Sequence, residues 1–345
     1  MIKPRKLKKG SVVAVLSPSW GGPSKFPLVY EAGLQTLQSL GLVIREYPTA
    51  RMDAQEVRDN PKLRAQDIND AFSDPEIDAI IPSIGGDDSV LLLEYLDTDV
   101  IKRNPKLLIG YSDTTTITTF LNSLGIVSYN GPSIMSGFAQ YSSLGKEYQD
   151  HIKSFLFENP SSYEYNPYPH YSDGYPDWAG AEKALGTSKL KPHSGWHWLQ
   201  GTSTVSGELY GGCIEVFEFL KSTKYWSTPE FWKGKILFFE TSEEKPSITQ
   251  VERMLRNYGT QGVFDQISAL LIGRARDYTN DEKQELDKTI LHVVQQEFHN
   301  TTLPIVTNMD FGHTDPQWIL PLGVQAEVDC ENKTFRLLEK PFSDE

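Results

Sequence analysis

Short runs of apolar, β-branched residues alternate with segments of helical period from residue 11 onward, and this alternation limits the fold more than any other feature. The apolar runs are SVVAVL, LVIREY, IDAIIP, KLLIG and IVSY, and amphipathic segments such as FPLVYEAGLQTLQSLG and DNPKLRAQDINDAF separate them. Apolar strands that alternate with amphipathic helices form a parallel sheet covered on both faces. Residues 1–160 are therefore predicted to form a doubly wound, parallel α/β domain.

This rhythm breaks after the first domain. Residues 161–204 are crowded with Pro, Gly, Tyr, Ser and Trp and show neither period, which predicts a linker that carries a long functional loop. Beyond the linker, strand-like runs enclose two helical segments, SITQVERMLRNYG and DEKQELDKTILHVVQQEF. Residues 205–345 are predicted to form a second, mixed β-rich domain, and a chain of 345 residues is long enough for two domains.

The charge balance narrows the range of partners. The chain carries 46 acidic and 33 basic residues, for a formal net charge of -13, so we expect neither a nucleic acid polymer nor a membrane as partner. The first apolar run is too short for the core of a secretion signal, and no later run approaches the length that spans a bilayer, so we expect a cytoplasmic protein. The two cysteines, Cys213 and Cys330, are expected to be reduced packing residues.

The stretch PKLLIGYSDTTTI places Ser112 where a predicted strand passes into a predicted helix. Ligands of parallel sheets bind beyond the carboxyl ends of the strands, and a serine on a sharp strand-to-helix turn exposes its hydroxyl there. The stretch resembles the G-x-S-x-G nucleophile elbow, but Thr114 replaces the second glycine. The alternative is that Ser112, Asp113 or Thr114 only caps the helix.

A second strand end carries paired glycines, Gly85 and Gly86, in IDAIIPSIGGDDS. Glycines let a ligand approach the backbone closely and leave its N–H groups unobstructed. One of these N–H groups could complete an oxyanion hole. Alternatively, the two glycines only form a tight turn.

A serine nucleophile needs a base, and the base needs an acceptor that orients it. His313 follows a strand and a glycine in LPIVTNMDFGH, and Glu240 ends the apolar run KILFFE on the same strand face as Phe238. Both side chains are therefore expected at carboxyl ends of strands. The alternatives are a turn histidine and a charged turn that Glu240 shares with Glu243 and Glu244.

The other histidines are weaker candidates. His151 and His292 are expected on or beside surface helices. His193 and His197 lie four residues apart in the irregular region, but Gly195 argues against a helix there and no acidic or thiol ligand lies close in the sequence. We expect no metal site.

With Ser112, Glu240 and His313 at strand ends, the sequence resembles the serine LD-carboxypeptidase family, which includes murein tetrapeptide carboxypeptidases and microcin C self-immunity peptidases. The similarity covers nearly the whole chain, in the segments AVLSPSWGG, SIGGDDS, IGYSDTTTI, VSGELYGGCIEVF, ILFFETSE and TNMDFGHTDPQWILPLG. Family members usually carry asparagine after the paired glycines of the fourth segment, where this chain has Cys213. Substrate contacts at that position are therefore not carried over.

The resemblance implies acyl transfer in a site between the two domains. Ser112 is then the nucleophile, His313 the general base and then acid, and Glu240 the residue that orients His313. The backbone N–H groups of Gly86 and Asp113 would form the oxyanion hole. No metal or organic cofactor is needed for this chemistry, and the resemblance also implies a homodimer.

Residues 178–198, WAGAEKALGTSKLKPHSGWHW, resemble the long aromatic loop of the microcin C immunity branch. Trp196 or Trp198 could stack on a nucleobase, and Gly85 could approach the substrate. We therefore interpret the chain as a hydrolase that cleaves the amide between an aminoacyl or peptidyl carboxyl end and a nucleotide. The alternatives are a murein tetrapeptide LD-carboxypeptidase that releases terminal D-alanine, tryptophans that only pack the loop, and a non-catalytic small-molecule binding protein. SPSWGGPS after the first strand does not match the G-x-G-x-x-G pattern of a nicotinamide enzyme.

Overall fold

A computed structural model describes residues 1–180 and 185–344. The strands are β1 (Val12–Leu16), β2 (Val43–Glu46), β3 (Ala79–Pro82), β4 (Leu107–Leu108), β5 (Ser128–Asn130), β6 (Tyr163–Tyr165), β7 (His170–Tyr171), β8 (Lys191–Pro192), β9 (His197–Gln200), β10 (Thr204–Cys213), β11 (Ile236–Glu240), β12 (Ala269–Gly273), β13 (Ile305–Met309), β14 (Leu320–Leu322), β15 (Gln325–Asp329) and β16 (Thr334–Leu337). The α-helices are α1 (Gly22–Lys25), α2 (Pro27–Ser39), α3 (Ala54–Asp59), α4 (Pro61–Ser73), α5 (Thr98–Arg103), α6 (Thr115–Ser123), α7 (Lys146–Lys153), α8 (Ile214–Leu220), α9 (Ile248–Thr260) and α10 (Asn280–Leu291).

The first sheet has the strand order β2-β1-β3-β4, and each neighbouring pair is parallel. The central strand β3 is buried at every residue, since helices cover both faces of the sheet. Helices α2 and α4 each begin on a proline, Pro27 and Pro61, at the position where the missing N–H costs no helical hydrogen bond. The predicted parallel α/β architecture of this half is confirmed.

The second sheet is mixed, with the order β6-β16-β15-β10-β11-β12-β13-β9. Its centre, β10 to β13, is parallel, and β11 (ILFFE) and β12 (ALLIG) are buried throughout. The outer strands β9, β15, β16 and β6 pair in antiparallel fashion. In β15 exposed or half-buried residues alternate with buried ones, as in a strand with one wet face. The mixed α/β class expected for this half is also confirmed.

The region expected to be a linker contributes strands to the second sheet. Strands β6 and β9 lie at its two edges, and β7 and β8 form a small ribbon of their own. Their partners lie more than a hundred residues away for both edge strands, so no local period announces them. Part of the predicted aromatic loop, residues 181–184, lies outside the described residues.

Two further features of the fold bear on the site and on stability. Strand β14 pairs with β5, so the second half of the chain is joined to the first beside the carboxyl end of the parallel sheet. His151 lies on the buried face of α7, a helix whose other face is exposed, and its Nε2 accepts a hydrogen bond from the Ile319 N–H at 3.0 Å. Within the described residues, no helix has both the length and the apolarity to cross a membrane.

Candidate active site

Ser112 lies on a strained elbow between β4 and α6. Its φ is 60°, in the left-handed region that non-glycine residues seldom occupy, and it begins a short 3-10 turn that runs into α6. Gly85 faces it closely: a Cβ added to Gly85 would come within 2.9 Å of the Ser112 hydroxyl oxygen. The glycine therefore leaves room for the serine side chain, and the elbow presents the hydroxyl at the carboxyl end of the sheet.

The backbone amides proposed for an oxyanion hole are available. Within the described residues, neither the Gly86 N–H nor the Asp113 N–H donates a hydrogen bond. The buried Asp113 carboxylate accepts hydrogen bonds from the Ser19 hydroxyl at 2.5 Å and from the Ser89 N–H at 2.8 Å. Burial raises the pKa of Asp113, although these hydrogen bonds oppose the rise. The side chain of Asp113 thus joins the elbow to the loop after β3 while its amide stays free.

His313 and Glu240 form a buried pair. His313 Nδ1 lies 2.6 Å from Glu240 Oε2, and Glu240, the last residue of β11, is fully buried. Gly312 makes this approach possible, since its φ is +99° and a Cβ there would lie 2.6 Å from the Glu240 Cβ. The carboxylate therefore orients the imidazole and stabilises its charged form.

The other imidazole nitrogen faces a second carboxylate. His313 Nε2 lies 2.9 Å from Glu243 Oε2, but the contact is not aligned as a hydrogen bond, and Nε2 has no hydrogen-bond partner within the described residues. Burial alone would lower the pKa of His313, but Glu240 and Glu243 outweigh burial and raise it well above its ordinary value. The Tyr111 ring packs edge-on against the imidazole at 4.8 Å. No hydrogen bond joins Ser112 to His313 in the described part of the chain.

Ser112 and His313 open into one cavity of about 570 Å³, a volume typical of small-molecule sites. The predicted residues in its wall are Gly85, Gly86, Ser112 and His313. The sequence interpretation missed the other lining residues, which are Trp20, Phe26, Arg58, Ile84, Asp87, Tyr111, Ser136, Tyr175, Pro176, Trp178, Glu243, Glu244 and Arg276. Several of these residues lie within segments that the sequence analysis had singled out, namely Trp20, Ile84, Asp87, Tyr111, Trp178, Glu243 and Glu244, but none was predicted to line the site.

Trp196 and Trp198 lie elsewhere, against the expectation that one of them stacks on the substrate. Both line a separate cavity of about 140 Å³. The Trp196 indole N–H donates to Asp310 Oδ2 at 2.8 Å, and its ring packs edge-on against Trp318 at 5.1 Å. These contacts attach the loop to the second sheet. They favour the alternative in which Trp196 packs the loop rather than stacks on a nucleobase. Among the tryptophans of the predicted loop, Trp178 lines the Ser112 cavity.

A buried ion pair supports the loop that carries His313. Arg274 and Asp310 are both fully buried, with Nη1 and Oδ1 2.7 Å apart. Arg274 Nε also donates to the Thr314 hydroxyl at 2.9 Å. The pair thus holds residues on both sides of His313, and Trp196 completes its hydrogen bonding.

Among residues 1–180 and 185–344, one group of side chains has the spacing of metal ligands: Glu252, His292 and Glu297. It lies outside the cavity wall, and Arg256 already forms ion pairs with both glutamates. His193 and His197 do not act together, since His193 contacts backbone carbonyls of Tyr168 and Asn308 while His197 pairs with Asp287. The Ser112 cavity itself offers a serine, an imidazole and carboxylates, a set suited to acyl transfer.

Comparison with known proteins finds two family models. The LD-carboxypeptidase N-terminal domain matches residues 13–131, and the LD-carboxypeptidase C-terminal domain matches residues 206–328. The microcin C7 self-immunity protein MccF of Escherichia coli is 30% identical, over 82% of this chain and 80% of its own. A putative carboxypeptidase of Vibrio cholerae is 27% identical, over 99% of this chain and 98% of its own.

Solved structures of MccF have the same fold as this chain over nearly its whole length. Structures of MccF in complex with aspartyl sulfamoyl adenosine and with glutamyl sulfamoyl guanosine each superpose with a TM-score of 0.88 at 26% identity, covering 99% of this chain and 100% of theirs. A probable murein peptide carboxypeptidase of Bacillus subtilis is 23% identical, over 96% of this chain and 93% of its own.

Proposed function

Since the chain belongs to the LD-carboxypeptidase family of serine peptidases, we propose that it is a hydrolase of the microcin C immunity type. Its substrate is an aminoacyl or peptidyl nucleotide, and the bond cleaved is the amide between the carboxyl end of the amino acid or peptide and the nucleotide. The relatives bound to aminoacyl sulfamoyl nucleosides support this substrate class.

In the proposed mechanism, Ser112 Oγ attacks the amide carbonyl while His313 Nε2 takes its proton. Glu240 holds the imidazole through Nδ1 and stabilises its positive charge. The N–H groups of Gly86 and Asp113 bind the oxyanion, and each such donor typically contributes about 10²–10³ in rate. The tetrahedral intermediate then breaks the C–N bond as His313 returns the proton to the leaving nitrogen. Water, deprotonated by His313, attacks the acyl-enzyme and releases the carboxylic acid.

One observation carries the proposal. Ser112, on an elbow with left-handed backbone, and His313 line the same cavity, and the Nδ1 atom of His313 contacts the buried carboxylate of Glu240. The same cavity contains the indole of Trp178, which provides a face for a nucleobase. Its volume fits a molecule of this size, whereas a site for an extended polymer would be an open groove.

Purified protein incubated with aspartyl sulfamoyl adenosine should release aspartate and sulfamoyl adenosine. Liquid chromatography measures the release of both products. Ser112→Ala should lose turnover by several orders of magnitude and keep its affinity for the substrate, because replacing the hydroxyl by hydrogen removes only the nucleophilic oxygen. Release of D-alanine from a murein tetrapeptide without cleavage of the nucleotide would instead assign the murein activity. Binding of the nucleotide with no Ser112-dependent turnover would show a non-catalytic binding protein.

We also propose three further properties, two of which rest on the sequence and the third, the homodimer, on the family resemblance. These are the division into residues 1–160, 161–204 and 205–345, action in the cytoplasm, and a homodimer. Limited proteolysis tests the division, cell fractionation the location, and light scattering coupled to gel filtration the oligomeric state.

A further inference from the structure

The Glu243 carboxylate lies against the nitrogen of His313 that must accept a proton in the proposed mechanism. Glu243 lies on the turn that follows β11, its side chain is 53% exposed, and its Oε2 is 2.9 Å from His313 Nε2. That nitrogen is the atom that must accept the Ser112 proton. Burial raises the pKa of Glu243, but the contact with His313 and the charge of Arg276, which lines the same cavity, outweigh burial and lower the pKa to about 2, so the carboxylate is ionised.

This arrangement keeps the unliganded enzyme from acting as a base. The groups that face the imidazole are Glu240 at Nδ1, Glu243 at Nε2 and the Tyr111 ring. A carboxylate at each nitrogen favours the protonated imidazolium, which cannot accept a further proton. For catalysis, Glu243 must leave Nε2 or have its charge neutralised by another cation.

The proposed substrate supplies such a cation. In an aminoacyl nucleotide with a free α-amine, the ammonium is attached to the carbon next to the scissile carbonyl. When Ser112 attacks that carbonyl and His313 takes the proton, the ammonium lies within a few ångströms of both. Glu243 is half-exposed on a turn beside this point, so its side chain can change partner without disturbing the sheet.

We propose that Glu243 is the specificity-determining residue for substrates with a free α-ammonium group, which replaces His313 as its partner. The inference rests on the proposed function and deepens it by naming the substrate feature that is read. Binding of the ammonium removes a negative charge from Nε2 and so produces the neutral base. A substrate whose α-nitrogen is acylated, as in a peptidyl nucleotide, carries no such charge, leaves Glu243 on His313 and is therefore cleaved more slowly than an aminoacyl nucleotide.

The test compares aspartyl sulfamoyl adenosine with its Nα-acetyl derivative as substrates of the full-length chain. The unmodified enzyme should prefer the free amine by about 10- to 100-fold in kcat/KM, the range of a hydrogen bond to a charged group. Glu243→Gln should remove the preference from both sides: kcat/KM should fall for the free amine, which loses its partner, and rise for the acetylated substrate, because no carboxylate at Nε2 then holds His313 in its charged form. It should also shift the acidic limb of the pH profile for the acetylated substrate to lower pH, which a purely structural role would not do.

Glu244→Gln is the matched control, since Glu244 lines the same cavity and has no contact with His313. Glu244→Gln should keep the preference for the free amine. If Glu244→Gln loses this preference while Glu243→Gln keeps it, the inference is overturned. Equal kcat/KM of the unmodified enzyme on both substrates would also overturn it while leaving the proposed function intact. If the unmodified enzyme hydrolyses neither compound, the proposed function fails and the inference with it.

Discussion

The indole of Trp178 combines two features of a substrate-binding residue. Its ring packs against Phe26 at 5.6 Å and Tyr175 at 5.2 Å, so its position is set by other aromatic side chains of the cavity. Its Nε1 is buried and has no hydrogen-bond partner within the described residues. An aromatic ring held in place at the cavity wall suits stacking on a nucleobase, whereas its buried N–H can reach a base only if the side chain moves.

Trp178→Ala should therefore raise KM for a nucleotide-bearing substrate by about tenfold, since stacking on a base contributes about 1–3 kcal/mol. KM for a simple dipeptide amide should change little. Steady-state kinetics on the two substrates measure the difference. Trp196→Ala is the control, because Trp196 packs against Trp318 and binds Asp310 outside the cavity, so it should affect both substrates equally. Equal effects of Trp178→Ala on both substrates would make Trp178 structural.

At the scale of elements, the His313–Glu240 pair depends on how closely the loop after β13 approaches β11. Glu240 is the final residue of β11, and Gly312 lies against it directly before His313. The Arg274–Asp310 ion pair connects β12 to the same loop. Removal of one partner of such a buried pair typically costs about 3–5 kcal/mol, so the loop position is strongly held.

Gly312→Ala should separate His313 from Glu240, because the new Cβ would lie 2.6 Å from the Glu240 Cβ. Loss of kcat by about 10²-fold is expected from a displacement of about 1 Å. Gly10→Ala is a matched control with a similar φ of +88° and open space around its Cβ. Both variants carry the cost of a left-handed alanine, about 1–2 kcal/mol.

Activity and thermal unfolding measured on the two variants separate these effects. Both should lose a similar amount of stability from the backbone conformation, and only Gly312→Ala should lose turnover. A fully active Gly312→Ala variant would contradict the close packing of this loop on β11.

For the molecule as a whole, the joint between its two halves includes a buried histidine. His151 Nε2 accepts from the Ile319 N–H at 3.0 Å, and its Nδ1 lies 2.6 Å from the Tyr163 hydroxyl. Burial lowers the pKa of His151 to about 3. The neutral ring thus links α7 of the first half to the segment just before β14.

His151 should make the protein less stable in mild acid. Its pKa is about 6.5 in an unfolded chain and about 3 in the folded one, so between these values the unfolded state binds more protons. The stabilisation is present above pH about 6.5 and is lost as the pH falls toward 3. Between pH 7 and 5 the free energy of unfolding should fall by about 2 kcal/mol more than in His151→Gln. Urea unfolding of both proteins at pH 7 and pH 5 measures this difference. An equal fall in the free energy of unfolding for the two proteins would refute the prediction.

The sequence predicted the architecture well because its signals are local. The alternation of apolar runs and amphipathic segments depends only on the period of each element, and it identified strands such as β1, β3, β11 and β13. It also identified five of the helices, namely α2, α4, α6, α9 and α10. The family segments predicted Ser112, Glu240 and His313 as a triad, and this assignment stays a prediction until the variants are assayed. The strands at the edges of the second sheet were missed because their partners are distant in the chain.

By itself, the sequence determined the α/β class, the family and the strand ends at which a serine, a glutamate and a histidine stand. These depend on local periodicity and on short motifs, which a linear chain carries in full. Only the tertiary structure decided that Trp178 rather than Trp196 lines the cavity, that Glu243 faces His313 Nε2, and that His151 is buried. Each of these depends on which loop packs against which element, and that is set by contacts between residues far apart in the chain.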